Sequence, residues 1–108
     1  PWMPKELFAT AAGAAEFGRE LAAIGERLRG YGLKLYYHNH DGELVVDAGQ
    51  TTFEHLLDAA APAALGAEVD VYWVAFAKQD PARFLRRLGA RCPLVHLKDK
   101  QELGTGFV

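Results

Sequence analysis

Hydrophobic residues along this chain follow two alternating periods. In three stretches they recur every three or four positions, a spacing that places an apolar stripe on one side of a helix. The helices predicted from this spacing are Pro4–Arg29, Thr51 or Thr52 to Pro62, and one that begins at Pro81. Thr51 and Glu54 have the T-x-x-E spacing of a capping box, and Asp80 is a typical N-cap before Pro81.

Between the helices, apolar and polar residues alternate with the two-residue period of a strand. The predicted strands are Leu33–His40, Ala67–Val74 and Pro93–Lys98, with Glu43–Asp47 as a possible short extra strand. Helices that alternate with strands predict an α/β fold of right-handed parallel crossover units. No linker or repeat interrupts the pattern, so residues 1–108 are interpreted as one continuous piece and residues 100–108 as a loop.

Each predicted strand carries polar side chains near its C-terminal end. In the first strand, Lys34, Tyr36, His38 and His40 share one face, whereas a fully buried strand is normally apolar on both faces. Ligands of parallel α/β folds bind at the C-terminal edge of the sheet. If neighbouring strands face the same way, six side chains converge there: His38, His40, Asp70, Tyr72, His96 and Lys98.

These residue types point to metal chemistry. Imidazoles and a carboxylate are ligands that a borderline divalent metal prefers, and such a metal can polarise a carbonyl group. Lys98 could neutralise a developing oxyanion. The alternative is a set of unrelated structural polar residues, but so many polar groups at one edge of three strands favour a site.

Other polar residues are interpreted as structural. His55 is expected on the solvent side of its helix, and Cys92 is expected to be a small hydrophobic residue. The four arginines that follow Pro81 are interpreted as a solvated helix face: Arg83, Arg86, Arg87 and Arg91.

Composition narrows the possible partners. The formal charge of −2 argues against nucleic acid, and no apolar run approaches the roughly 20 residues of a membrane span. A single cysteine excludes an internal disulfide and fits a reducing cytoplasm. The first residues lack an initiator Met and the layout of a signal peptide, so we expect the chain to begin inside a larger reading frame.

Four sequence blocks together carry a family resemblance. In order they are YGLKLYYHNHDGELV, AEVDVYWV, DPARFLRRL and PLVHLKDK. This chain resembles the sugar phosphate isomerase/epimerase family, the xylose-isomerase-like TIM-barrel group that includes inosose dehydratases and is similar to endonuclease IV. The resemblance implies part of an eight-stranded (β/α)8 barrel, about strands four to six with their helices, without the first three and last two strands.

The resemblance also implies a divalent metal: manganese, cobalt, zinc or magnesium. Family ligands are a Glu on strand four, an Asp on strand five, a His on strand six and a Glu on strand eight. By this correspondence the Glu position falls on His38 and the Asp on Asp70, while His96, or Lys98 two residues later, is the sixth-strand ligand. The eighth-strand Glu has no counterpart, so the two-glutamate proton exchange through a cis-enediolate is not carried over intact.

The sequence therefore predicts a metal-dependent sugar isomerase/epimerase-like protein that transfers a proton next to a carbonyl on a keto-sugar or polyol. The expected roles are metal ligation by His38, Asp70 and His96, catalysis by His40 and Lys98, and substrate contact by Tyr72 and Trp73. Alternatives are an inosose-type dehydratase in the same pocket, a metal-dependent phosphodiesterase disfavoured by the net charge, and a non-catalytic barrel fragment. Unpaired sheet edges predict self-association.

Overall fold

A three-stranded parallel sheet lies at the centre of the structure, a computed structural model that describes residues 3–99. The helices are α1 (Ala11–Arg29), α2 (Thr52–Asp58), α3 (Val71–Phe76) and α4 (Pro81–Leu88). The strands are β1 (Tyr36–His38), β2 (Val46–Asp47), β3 (Gln50–Thr51), β4 (Gly66–Asp70) and β5 (Leu94–His96). Single 3-10 turns span Lys5–Phe8, Gly42–Leu44 and Gly89–Arg91. The predicted α/β class with parallel strands is confirmed.

The register of the sheet decides which side chains share a face. Its strand order is β1-β4-β5, and both pairings are parallel. His38 pairs with Glu68, and Asp70 pairs with His96. Since paired residues point the same way and neighbours along a strand alternate, His38, Asp70 and His96 lie on one face.

The opposite face of the sheet covers the hydrophobic core. Ala67 and Val69 are fully buried there, and Tyr37 packs its ring against Phe8, Phe17 and Phe53 at centroid distances of 5.7–6.2 Å. Tight helix packing completes this layer. A Cβ atom added at Gly25 of α1 would overlap the carbonyl oxygen of Ala64, and one at Gly18 would overlap that of Leu56.

The first helix begins seven residues later than the hydrophobic period predicts. Thr10 caps α1 by accepting a 3.1 Å hydrogen bond from the backbone N–H of Gly13, and the segment before it forms the 3-10 turn Lys5–Phe8 instead. Phe8 lies in this 3-10 turn and still packs in the core, so apolar residues on both sides of the helix start contact the same core. Caps, rather than hydrophobic spacing, therefore set where this helix starts.

The second predicted strand is wrong after Asp70. Residues 71–74 belong to α3 because the Asp70 carboxylate accepts hydrogen bonds from the backbone N–H groups of Tyr72 (3.0 Å) and Trp73 (3.3 Å). These bonds satisfy donors that a helix start leaves free, so the chain turns out of the sheet at that point. The first and third strands are also shorter than predicted, at three residues each.

The capping box at the start of α2 is confirmed. Thr51 Oγ1 accepts from the backbone of Glu54 at 3.1 Å, and Glu54 Oε2 accepts from the backbone of Thr51 at 2.8 Å. The extra strand between Glu43 and Asp47 is reduced to β2, which forms a hairpin with β3. The helix ends at Asp58, before Pro62.

Three residues predicted to face solvent also form hydrogen bonds within the fold. His55 Nε2 lies 2.7 Å from the Asp47 carbonyl oxygen and the residue is half-buried, so it faces solvent only in part. Arg87 donates to Glu54 at 2.9 Å, and Arg91 donates to three main-chain carbonyls at 2.6–3.2 Å. Arg83, Arg86 and Arg87 are exposed as predicted, and only Arg91, on the 3-10 turn after α4, is half-buried. The predicted loop 100–108 lies outside the described residues.

Candidate metal centre

His38, Asp70 and His96 meet at the carboxyl ends of the three parallel strands. His38 Nε2 lies 2.8 Å from Asp70 Oδ2 and 2.9 Å from His96 Nδ1, and His96 Nδ1 lies 3.4 Å from the same carboxylate oxygen. Parallel pairing brings Asp70 and His96 into register, while His38 comes from the strand on the other side of β4. The structure thus joins three residues that are distant from one another along the chain.

Asp70 is the centre of this cluster. Its side chain is fully buried, with Oδ1 directed at the start of α3 and Oδ2 directed at the two histidines. A buried carboxylate needs hydrogen bonds or nearby positive charge to offset the loss of hydration. Oδ1 therefore caps the start of α3, and Oδ2 is the oxygen that would contact a cation together with the histidines.

Lys98 supplies positive charge beside Asp70. Its Nζ lies 3.1 Å from Asp70 Oδ2 and 5.4 and 5.3 Å from the ring centroids of Tyr72 and Trp73. Ammonium groups over aromatic faces gain cation–π attraction. The predicted catalytic lysine is therefore held in the cluster itself, on the oxygen that would also face a metal.

His40 stands at the rim of the cluster. Its ring centroid lies 5.2 Å from that of His38 and 5.4 Å from that of Trp73. Burial lowers the pKa of His40 from its ordinary value, and the Glu43 carboxylate acts in the opposite direction. The imidazole is placed to reach a molecule that contacts the three clustered residues.

The two predicted substrate contacts differ in accessibility. Tyr72 is 5% exposed and Trp73 is half-buried, and both lie on α3 rather than on a strand. Their rings contact each other at 4.9 Å in an edge-to-face arrangement. Trp73 also borders His40, so it presents more surface to the cluster than Tyr72 does.

Two buried polar residues behind the cluster were not predicted from the sequence. Asn39 is fully buried, and its Oδ1 accepts from the backbone N–H of Asp70 at 2.8 Å. Glu43 is 4% exposed and accepts from Tyr37 Oη at 2.8 Å and from the backbone N–H of His40 at 2.9 Å. Burial and Glu43 together raise the pKa of Tyr37. A signal for Asn39 existed, because alternation puts it on the apolar side with Tyr37.

The three side chains fit a divalent cation. One ligand atom from each of His38, Asp70 and His96 can be chosen so that all lie within 4.8 Å of one another. Ligand atoms around a tetrahedral zinc, at about 2.0–2.1 Å from the metal, lie roughly 3.3 Å apart. The separations of 2.8–3.4 Å require only small side-chain shifts to match this value. Two imidazoles and a carboxylate suit zinc and related first-row metals.

Comparison with solved structures places this geometry in a known fold. A sugar phosphate isomerase/epimerase from Parabacteroides distasonis ATCC 8503 superposes with a TM-score of 0.82 at 26% identity, over 98% of this chain. The chain has the fold of part of a sugar phosphate isomerase/epimerase. The resemblance predicted from the sequence is thereby confirmed, and so is the partial TIM barrel.

A second sugar phosphate isomerase/epimerase structure from the same organism has the same fold. It superposes with a TM-score of 0.80 at 22% identity, again over 98% of this chain. The chain spans 40% and 41% of the length of these two proteins. No family model and no curated protein sequence matches the chain.

The described helices carry no candidate membrane span. None of them combines the length and the apolar character that crossing a bilayer requires.

Proposed function

We propose that this chain carries the metal-binding part of a sugar isomerase/epimerase site, which transfers a proton next to a carbonyl of a keto-sugar or polyol. The observation that supports this most directly is the cluster of His38, Asp70 and His96 at the C-terminal edge of a parallel sheet. Active sites of TIM barrels lie at that edge. The similarity to sugar phosphate isomerase/epimerase structures supports the same chemistry.

Each side chain then has a distinct role. His38, Asp70 and His96 would hold the cation, which when bound would polarise the substrate carbonyl. Lys98 would face the oxygen on which negative charge develops, because its ammonium already lies in the cluster. His40, at the rim, would contact the substrate, accept the proton that leaves the carbon next to the carbonyl and return it to the substrate.

The aromatic residues of α3 would provide the apolar wall. The Trp73 ring centroid lies 5.4 Å from that of His40 and 5.3 Å from Lys98 Nζ, and so borders the space in front of the cluster. The flat ring suits the C–H face of a sugar, while the polar groups opposite suit its hydroxyls. Tyr72 is more buried and would support Trp73 from behind through their edge-to-face contact.

Solvent deuterium exchange tests this proposal across a panel of candidate substrates. The chain is incubated in D2O with keto-sugars and Mn²⁺, Co²⁺, Zn²⁺ or Mg²⁺, and proton NMR follows loss of the signal next to the carbonyl. We expect exchange that requires metal and is abolished in Asp70→Asn. The Asp58→Asn variant is the control for lost negative charge, since Asp58 is exposed and bonds to Gln50 in a surface contact. Metal-independent exchange, or none with any sugar, would contradict the proposal.

The dehydratase alternative is separated in the same experiment. Keto-inositols are added to the panel, and loss of a hydroxyl group is followed by mass spectrometry. Dehydration without isomerisation would assign the site to inosose-type chemistry. Metal binding without any reaction would favour the non-catalytic alternative for this chain.

We also propose that the 108-residue chain self-associates through its sheet edge. Among the described residues, β5 has a neighbour on one side only, and Leu94, Val95 and Leu97 nearby are 42%, 39% and 81% exposed. Unpaired edges are templates for further strands, and charge on an edge opposes this pairing. Light scattering should show mass that rises with concentration, and Val95→Lys should reduce it. Val46→Lys on the separate β2–β3 hairpin is the control, and a monomer at all concentrations would contradict the proposal.

A further inference from the structure

Asn39 lies between the two histidines that end the first predicted strand, and it is fully buried although its side chain is polar. Buried amides are retained where their hydrogen bonds are satisfied, so the partners indicate what the residue does. Both ends of the amide are bonded in this structure. Oδ1 accepts from the backbone N–H of Asp70 at 2.8 Å, and Nδ2 donates to the carbonyl of His40 at 3.2 Å.

The first of these bonds extends the sheet beyond the end of β1. The backbone N–H of Gly66 donates to the carbonyl of Leu35 at 3.0 Å. In a parallel ladder such bonds recur every two residues, so the N–H of Asp70 is expected opposite the main-chain carbonyl of residue 39. There the side-chain oxygen of Asn39 accepts the bond. The main chain of β1 is therefore free to leave the sheet while β4 stays attached to it.

The second bond holds the segment that leaves the sheet. Asn39 Nδ2 binds the carbonyl of His40, and Glu43 Oε2 accepts from the N–H of the same residue at 2.9 Å. Both main-chain groups of His40 are thus held by buried side chains. The position of the His40 imidazole follows from the position of its main chain.

These contacts connect the main chain on both sides of the candidate metal centre. Asn39 follows His38 directly in the chain, and it fixes the backbone of Asp70, whose carboxylate lies 2.8 Å from His38 Nε2. A shift of a ligand backbone by a fraction of an ångström changes metal geometry, and residues that orient ligands typically change affinity by about 10–100-fold.

We propose that Asn39 is a positioning residue that holds Asp70 in the arrangement that a bound divalent cation requires and holds His40 at the rim of the same cluster. The inference rests on the proposed function, but its structural part does not need a metal. An aspartate at this position keeps an acceptor for the Asp70 N–H and places an oxygen against the His40 carbonyl. A leucine of similar size loses both hydrogen bonds.

The test compares Asn39→Leu and Asn39→Asp with Thr51→Val. Thr51 is 1% exposed and caps α2, so its loss lowers stability without touching the cluster. Hydrogen exchange followed by NMR measures the Asp70 amide in the metal-free chain, and a Co²⁺ titration followed by visible absorption measures the affinity and the coordination geometry.

In Asn39→Leu we expect faster exchange at the Asp70 amide, about 10–100-fold weaker Co²⁺ binding and a changed absorption band. Asn39→Asp should keep the Asp70 amide protected, and if the leucine variant fails to fold, fast exchange of that amide in Asn39→Asp would overturn the proposal. Thr51→Val should bind Co²⁺ as the unmodified chain does. Unchanged affinity and exchange in Asn39→Leu, or equal weakening in Thr51→Val, would overturn the proposal.

Failure of the proposed function gives a different result. If the unmodified chain binds no Co²⁺ in a manner that depends on Asp70, the metal site is wrong. The exchange experiment then decides alone: a protected Asp70 amide in Asn39→Leu overturns the role of Asn39, and an exposed one supports it.

Discussion

Asp70 serves two purposes with its two carboxylate oxygens, and substitution can separate them. Oδ1 accepts from the backbone of Tyr72 and Trp73, and Oδ2 faces His38 and Lys98 at 2.8 and 3.1 Å. Asp70→Asn keeps the oxygen that caps α3 but removes the charge. Asp70→Ala removes both the cap and the charge.

The difference in stability between the two variants reports mainly on the cap, because both variants lose the charge. Asparagine and aspartate are nearly equal as N-caps, whereas alanine in their place costs about 1 kcal/mol. We therefore expect Asp70→Ala to unfold about 1 kcal/mol more easily than Asp70→Asn, which corresponds to roughly 5 °C in Tm for a chain of this size. Thermal and urea unfolding without metal measure this difference.

Metal binding should not distinguish the two variants. Each loses the only carboxylate of the cluster found among the described residues, so elemental analysis should find both without bound metal after dialysis. The exposed Asp58→Asn variant should retain it. Equal stability of the two Asp70 variants would refute the helix-capping role, and retained metal in either would remove Asp70 from the ligand set.

Three further predictions concern charge and packing. Gly25→Ala should lower the free energy of unfolding by about 2 kcal/mol, because overpacking against the Ala64 carbonyl outweighs the gain in helix propensity. Gly30→Ala is the control: its Cβ would meet only the Arg27 carbonyl oxygen at 3.4 Å, so it should be nearly neutral in urea unfolding. Burial raises the pKa of Glu54, but hydrogen bonds from Arg87 and Thr51 outweigh it and lower the pKa overall. Because the pKa of Glu54 is lower in the folded chain, Glu54 stabilises the fold fully above its unfolded pKa, and this stabilisation is lost as the pH falls through its folded pKa. Urea midpoints measured from pH 7 to pH 3 should therefore fall less steeply in Arg87→Met, and an unchanged slope would contradict this. Lys98→Met should tighten Co²⁺ binding about tenfold because an ammonium no longer faces the same oxygen as the cation, and weaker binding would show that Lys98 instead orients Asp70.

The hydrophobic pattern alone determined the α/β class and the face on which the polar residues lie. Both follow from local periods, because a residue two positions along a strand returns to the same face wherever the strand is placed. The capping box of Thr51 and Glu54 could be predicted for the same reason, since its partners are three residues apart. The pattern placed His38, Asp70 and His96 near the carboxyl ends of their strands, but their convergence also required neighbouring strands to face the same way, which the sheet register supplies.

Only the tertiary structure decided how that convergence is held. Whether residues 71–74 extend β4 or form α3 depends on the Asp70 carboxylate, and that residue is held by Asn39 from another part of the sheet, 31 positions away. The close approach of Gly25 to the Ala64 carbonyl and the bond from Arg91 to the Leu57 carbonyl of α2 likewise join distant segments. A sequence period records which face is buried, but the partner of a buried polar group is set by the three-dimensional path of the chain.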